Sequence, residues 1–168
     1  DSVGQRANEI GSEMQNNAQD RLNSILGAWP QGLPRGIIHA DLFPNNVLFI
    51  GNNLTGVIDF YFACEDILAY DVGICLNSWC FEADGSFNLT KSRALIRGYQ
   101  TVRPLSEAEV AAIPVLAAGS AMRFFLTRLY DWLHTPKDAL VSPKDPREYW
   151  AILRFHQSVS GVGAYGFD

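Results

Sequence analysis

One short run, His39-Ala-Asp-Leu-Phe-Pro-Asn-Asn46, constrains this chain more than any other. Asp41 and Asn46 stand five apart, and Ile58-Asp59-Phe60 follows with its carboxylate thirteen residues beyond Asn46. Between them lie two β-type runs, Val47-Leu-Phe-Ile50 and Thr55-Gly-Val-Ile-Asp59, around Gly51-Asn52-Asn53. Branched and aromatic residues on both sides of a Gly/Asn turn predict a hairpin. Such a hairpin fixes Asn46 just before its first strand and Asp59 at the end of its second. Local geometry then brings an amide and a carboxylate close together. Asp, Asn and Pro are also ordinary turn formers, so any one of these residues has a bland explanation. The combination and its spacing carry the site.

The remainder reads as helix. Val3, Ala7, Ile10, Met14, Ala18, Leu22, Ile25 and Trp29 recur at steps of three and four. They predict an amphipathic helix of about seven turns, closed by Gly27 and Pro30, with Gln31 to Arg35 as a connector. Further helices are expected over Asp71 to Phe81 and Thr90 to Tyr99, the latter entered from the Asp84-Gly85 turn. Ser106-Glu-Ala-Glu109 is a capping box opening a long apolar helix through about Leu133, which Pro114 is set to kink or restart. Asp145-Pro146 caps a last helix carrying Tyr149, Ile152, Leu153 and His156. The expected fold class is α+β, mainly helical: a single domain over residues 1–168 with one small β-hairpin after the His39 loop.

Composition narrows the partners. Hydrophobic residues make up 48% of the chain, which suits a packed core rather than disorder. A net charge of −5 argues against a nucleic-acid partner, which would require a basic face. No uninterrupted apolar run approaches the roughly 20 residues that span a bilayer, and no basic-then-apolar signal segment opens the chain. Cys64, Cys75 and Cys80 match neither a C-x-x-C pair nor a zinc knuckle, and read as buried free thiols of a cytoplasmic protein.

The H-x-D-x-x-x-x-N spacing with a following Asp has the form of a phosphoryl-transfer loop. That chemistry needs a carboxylate to receive the acceptor hydroxyl's proton, and oxygen ligands to hold Mg²⁺ against the phosphates of ATP. Asp41 suits the first task; Asn46 and Asp59 suit the second. His39 reads as a brace for the loop, with a general-base role as the alternative. Asp71 reads as a helix cap or as an acceptor for the loop's amides. In Arg123-Phe-Phe-Leu-Thr-Arg-Leu-Tyr-Asp-Trp132, Arg128 and Asp131 have the i,i+3 spacing of a structural ion pair. The functional alternative has Arg123 or Arg128 binding a substrate carboxylate while Asp131 receives an ammonium. Tyr61, Trp79 and Trp132 read as core residues, with substrate contact as the alternative.

These segments resemble the carboxy-terminal lobe of the aminoglycoside phosphotransferase and choline kinase superfamily. His39-Ala-Asp-Leu-Phe-Pro-Asn-Asn-Val-Leu-Phe49, Gly56-Val-Ile-Asp-Phe-Tyr-Phe-Ala-Cys64 and Ala69-Tyr-Asp-Val-Gly-Ile-Cys-Leu-Asn77 carry the likeness. Together with the Arg123 to Trp132 run, Pro143-Lys-Asp-Pro146 and Arg154-Phe-His-Gln157, they are most similar to bacterial homoserine kinases. The resemblance covers about residues 1 to 160 and leaves the last eight unaligned. It implies that Asp41 is the base, that Asn46 and Asp59 hold magnesium, and that Asp71 supports the loop. It also implies ATP as donor and L-homoserine as acceptor, phosphorylated on its side-chain hydroxyl for threonine biosynthesis. A kinase for choline, an aminoglycoside or a sugar, and a non-catalytic binding lobe, remain as alternatives. Kinases of this kind cover ATP with a smaller lobe bearing a glycine-rich turn and a Lys. No such sequence precedes His39, so the expected partner is a missing N-terminal kinase lobe of the same protein, without which the chain is expected to be inactive.

Overall fold

The computed structural model describes Gly11, residues 14–136 and residues 138–167. In chain order the elements are α1 (Met14–Gly27), β1 (Arg35–Ile38), β2 (Val47–Ile50), β3 (Asn53–Val57) and β4 (Cys64–Ile67), then α2 (Leu68–Trp79), α3 (Leu89–Val102), α4 (Glu107–His134) and α5 (Pro146–Ser158). Single 3₁₀ turns occur at Pro44–Asn46, Phe60–Phe62 and Val162–Tyr165.

Helices α1, α2 and α5 pack on the long helix α4. Its start is the expected capping box: the Ser106 hydroxyl accepts from the Glu109 amide, and Glu109 accepts from the Ser106 amide at 3.0 Å. Glu109 is almost fully buried, which alone would raise its carboxyl. The Ser106 bonds and Arg103, paired with it at 2.6 Å, hold it below the ordinary range instead. The helix runs unbroken through Pro114, so no restart occurs there. By length and composition α4 could cross a membrane, but more than half of its most apolar stretch is buried within the fold. Small residues allow α2 to approach: a Cβ added at Gly73 would stand 3.0 Å from the Ala117 backbone nitrogen. Ile74, Leu76, Ile113, Leu116, Phe125 and Leu153 fill the resulting core. The first turns of the expected amino-terminal helix, from Val3 to Ile10, lie outside the described residues. Its later positions Ala18 and Ile25 face the core, and Trp29 meets the Tyr70 ring edge-on at 5.7 Å.

The strands form two ribbons rather than the single expected hairpin. β2 and β3 pair antiparallel from Val47 opposite Val57 to Ile50 opposite Asn53, with an irregularity at Leu48–Phe49. The second strand ends at Val57, so Asp59 lies two residues past it. The stretch read as a connector runs into β1 at Arg35, and β1 pairs antiparallel with β4 from Arg35 opposite Ile67 to Ile38 opposite Cys64. Four-residue strands leave little periodicity to read, and Cys64-Glu-Asp-Ile67 carries two acids that mask a β signal. Arg35 reaches across this ribbon to Asp66 at 3.2 Å. Placement of the cysteines also differs from expectation. Cys80 is buried and Cys75 half-buried, but Cys64 is exposed on its two-stranded ribbon. Burial pushes the Cys80 thiol up to about 12 and raises Cys75 further.

The unaligned carboxy-terminal residues close the helical core. Tyr165 is fully buried, its carbonyl accepting from Ser92 Oγ at 2.6 Å and its ring stacked on His156. Asn77 Nδ2 donates to the Ala117 carbonyl at 2.8 Å, which leaves Asn77 Oδ1 to accept. His156 Nε2–H therefore donates to Asn77 at 2.6 Å, and Nδ1 accepts from the Tyr165 hydroxyl at 2.8 Å. One neutral tautomer is thereby selected, and burial drives the imidazole down to about 3.

Candidate active site

The loop after β1 is held in an uncommon backbone shape. Ala40 has φ 62° and Asp59 φ 63°, both in the left-handed region that costs an L-residue roughly 1–2 kcal/mol. Asp71, in the first turn of α2, secures the first of these. One carboxylate oxygen accepts from the His39 amide at 2.8 Å and the other from the Ala40 amide at 2.9 Å. His39 joins the two strained points. Its Nδ1 accepts from the Asp41 amide at 3.2 Å, so Nε2 carries the proton and donates to the Ile58 carbonyl at 2.9 Å. Both ring nitrogens are thus in use, and the ring is buried against Phe60. Farther along, the Leu42 carbonyl accepts from Ser78 Oγ at 2.9 Å and from the Trp79 indole at 2.8 Å. Helix α2 therefore grips the loop at two places, His39–Ala40 and Leu42.

Asn46 is buried, and its amide nitrogen donates to the Asp41 carbonyl at 2.8 Å and to the Asp41 carboxylate at 3.1 Å. A backbone carbonyl only accepts, which fixes the orientation of the amide. Asn46 Oδ1 then points the other way, contacted by Asn45 Nδ2 at 3.2 Å. Asp41 is half-buried. Burial raises its carboxyl above the ordinary range, Arg123, Asn46 and His39 oppose this, and the charge of Asp59 adds to it. Asp59 itself is exposed. Among the described residues no three His, Cys, Asp or Glu side chains cluster to enclose a metal ion. The donors available to a hard cation are Asn46 Oδ1 and the Asp59 carboxylate, a pair suited to magnesium that takes its remaining oxygens from phosphates and water.

The family model described as the phosphotransferase enzyme family matches residues 3–105, a span that includes His39, Asp41, Asn46, Asp59 and Asp71. The chain belongs to the phosphotransferase enzyme family. It is 59% identical over 163 residues to a Rhizobium etli protein named homoserine kinase, covering 97% of this chain and 51% of that one. The Agrobacterium fabrum homoserine kinase is 57% identical over 166 residues, covering 99% and 52%. That of Rhodospirillum rubrum is 55% identical over 168 residues, covering 100% and 52%. This phosphotransferase chain thus spans about half the length of the curated relatives it matches.

A cleft of about 730 Å³ opens beside the loop, lined by Asp41, Phe43, Phe62, Arg123, Arg128 and Asp131 and closed at its rim by residues 139–144. The substrate candidates Arg123, Arg128 and Asp131 therefore share one cavity with Asp41. Tyr61 does not line it: its ring is 85% exposed on the 3₁₀ turn after Asp59. The core reading fails for Tyr61 and for Trp132, which is 40% exposed, because both lie on elements with one face uncovered. Trp79 is partly buried and spends its indole N–H on the loop. The expected Arg128–Asp131 pair does not form. Arg128 turns instead to Glu148 on α5, at 2.6 Å, and lies over the Tyr149 ring. An i,i+3 spacing makes two side chains neighbours, but the facing helix offers Arg128 a better-placed acid. Lys144 and Thr127 also line the cleft; nothing in their local pattern distinguishes them in the sequence.

Proposed function

We propose that the protein carrying this phosphotransferase chain transfers the γ-phosphoryl group of ATP to the side-chain hydroxyl of L-homoserine, forming O-phospho-L-homoserine. One observation carries the phosphoryl-transfer reading: Asn46 clamps both the carbonyl and the carboxylate of Asp41 through its amide nitrogen, which turns its own oxygen to the opposite side. A base and a metal donor are thereby fixed relative to each other before any ligand arrives, which is the preorganisation this chemistry requires. The names of the relatives support homoserine as the acceptor.

Asp41 accepts the hydroxyl proton as the new O–P bond forms and the bond to ADP breaks. Asn46 Oδ1 and Asp59 would hold magnesium; when bound, the ion supplies charge neutralisation at the phosphates. His39 and Asp71 keep the loop in its left-handed turn. Phe49, Ile50, Leu54, Ile58 and Phe60 are exposed apolar residues on the hairpin and the Asp59 turn. A nucleotide-covering lobe in the rest of the protein is the partner that suits this surface.

A coupled ADP-release assay on the full-length protein, with homoserine, serine, choline and an aminoglycoside in parallel, tests the reading. Clear preference for homoserine is expected. An equal response to all four, or preference for another acceptor, overturns it.

A further inference from the structure

We propose that Arg123 is the specificity-determining residue of the acceptor site and holds the carboxylate of an amino-acid substrate, while Arg128 is structural. This rests on the homoserine reading above and goes beyond it by assigning the charge that selects the substrate.

Three cations line the cleft beside Asp41: Arg123, Arg128 and Lys144. Arg128 is already neutralised. Its side chain is 12% exposed, it pairs with Glu148 at 2.6 Å, and it donates to the Asp145 carbonyl at 3.4 Å. A substrate carboxylate would have to displace that partner. Lys144 sits exposed at the rim, its ammonium 5.6 Å from the Phe43 ring, on a long stem with free rotation. Arg123 differs from both. It is half-buried in the middle of α4, and its guanidinium lies 4.5 Å from the Phe124 ring and 5.3 Å from the Phe62 ring. Among the described residues no carboxylate stands within ion-pair distance of it.

A partly buried guanidinium without an acid partner is costly to maintain unless a ligand completes it. The ring contacts and a bond to the Tyr70 hydroxyl hold it in place, and the remaining N–H donors suit a planar, bidentate acceptor, which a carboxylate provides. Arg123 and Asp41 line the same cavity, so a substrate with a hydroxyl at one end and a carboxylate at the other can meet both. Homoserine has that form. Choline carries a cation where Arg123 would require an anion, so the same residue that favours one acceptor disfavours the other.

The test is a cycle of kcat/KM values on the full-length protein. Wild type, Arg123→Gln, Arg123→Lys and Arg128→Gln are each assayed with L-homoserine and with L-homoserine amide, which keeps the shape and loses the charge. A charge-assisted bidentate contact implies a loss of roughly 10- to 100-fold when one partner is neutralised. Arg123→Gln should lower kcat/KM for homoserine by about that factor, mostly through KM, and affect the amide little, so that the preference for the acid collapses. Arg123→Lys should retain part of the preference, and Arg128→Gln should leave the ratio unchanged. Equal losses on both substrates in Arg123→Gln would overturn the assignment and place Arg123 on the phosphoryl group or the loop. Wild type turning over homoserine with an additive cycle rejects this inference alone. Wild type inactive on homoserine rejects the proposed function and this inference with it.

Discussion

Asp71→Asn isolates the device that shapes the His39–Asn46 loop. The native carboxylate accepts two backbone N–H groups, from His39 at 2.8 Å and Ala40 at 2.9 Å, and both residues are buried. Asparagine keeps one acceptor and turns an N–H toward the other amide. That leaves a buried donor unsatisfied, at about 1–3 kcal/mol, and removes charge assistance from the bond that survives, at about 1 kcal/mol. Ala40 is then free to leave its left-handed conformation, so the loop loses its shape before the helical core unfolds. A loss of about 2–4 kcal/mol follows. With a urea slope of about 2 kcal/mol per molar, the unfolding midpoint of the 168-residue chain should fall by about 1–2 M. Tryptophan fluorescence follows the transition, and amide exchange at His39 and Ala40 should accelerate in the folded state. A midpoint within about 0.3 M of wild type, with exchange at both amides unchanged, would show that Asp71 does not hold the loop.

Other outcomes follow from the same geometry. Asp41→Asn in the full-length protein should lower kcat by roughly 10²- to 10⁴-fold with nucleotide affinity nearly unchanged; a near-normal rate would remove Asp41 as the base. Gly73→Ala should destabilise by about 1–3 kcal/mol rather than give the usual helical gain, because the new methyl meets the Ala117 backbone; thermal melting decides. His156 is held neutral, its folded pKa near 3 lying below the unfolded value of 6.5. The unfolded chain therefore takes up a proton that the native fold refuses, and stability falls as pH drops through that window. Between pH 6.5 and 4.5 the loss should reach about 2–3 kcal/mol, and His156→Gln should flatten the slope.

Features set by neighbours in sequence were legible. The Ser106–Glu109 box, the Asp145-Pro146 cap and the β2–β3 hairpin each depend on contacts within a few residues, and each occurs near its expected place. The Asp41–Asn46 contact is equally local, closed by a single 3₁₀ turn, although the pair expected to be brought together was Asn46 and Asp59. Contacts between distant segments were not legible. β1 meets β4 across most of thirty residues, Arg128 finds Glu148 on another helix, and Tyr165 returns to seal His156. No local period encodes those choices, since the energy comes from burial and pairing that exist only after the helices dock. His39 shows the boundary well. Its spacing suggests a brace, but which nitrogen carries the proton depends on the Asp41 amide and the Ile58 carbonyl, nineteen residues downstream of it.

The most direct check is a crystal structure of the full-length protein with Mg²⁺ and a non-hydrolysable ATP analogue. The ion should lie about 2.1 Å from Asn46 Oδ1 and from an Asp59 carboxylate oxygen, with the Asp41 carboxylate facing the terminal phosphate across the acceptor cleft. Magnesium held by other side chains, with Asn46 and Asp59 unliganded, would contradict the account at its centre.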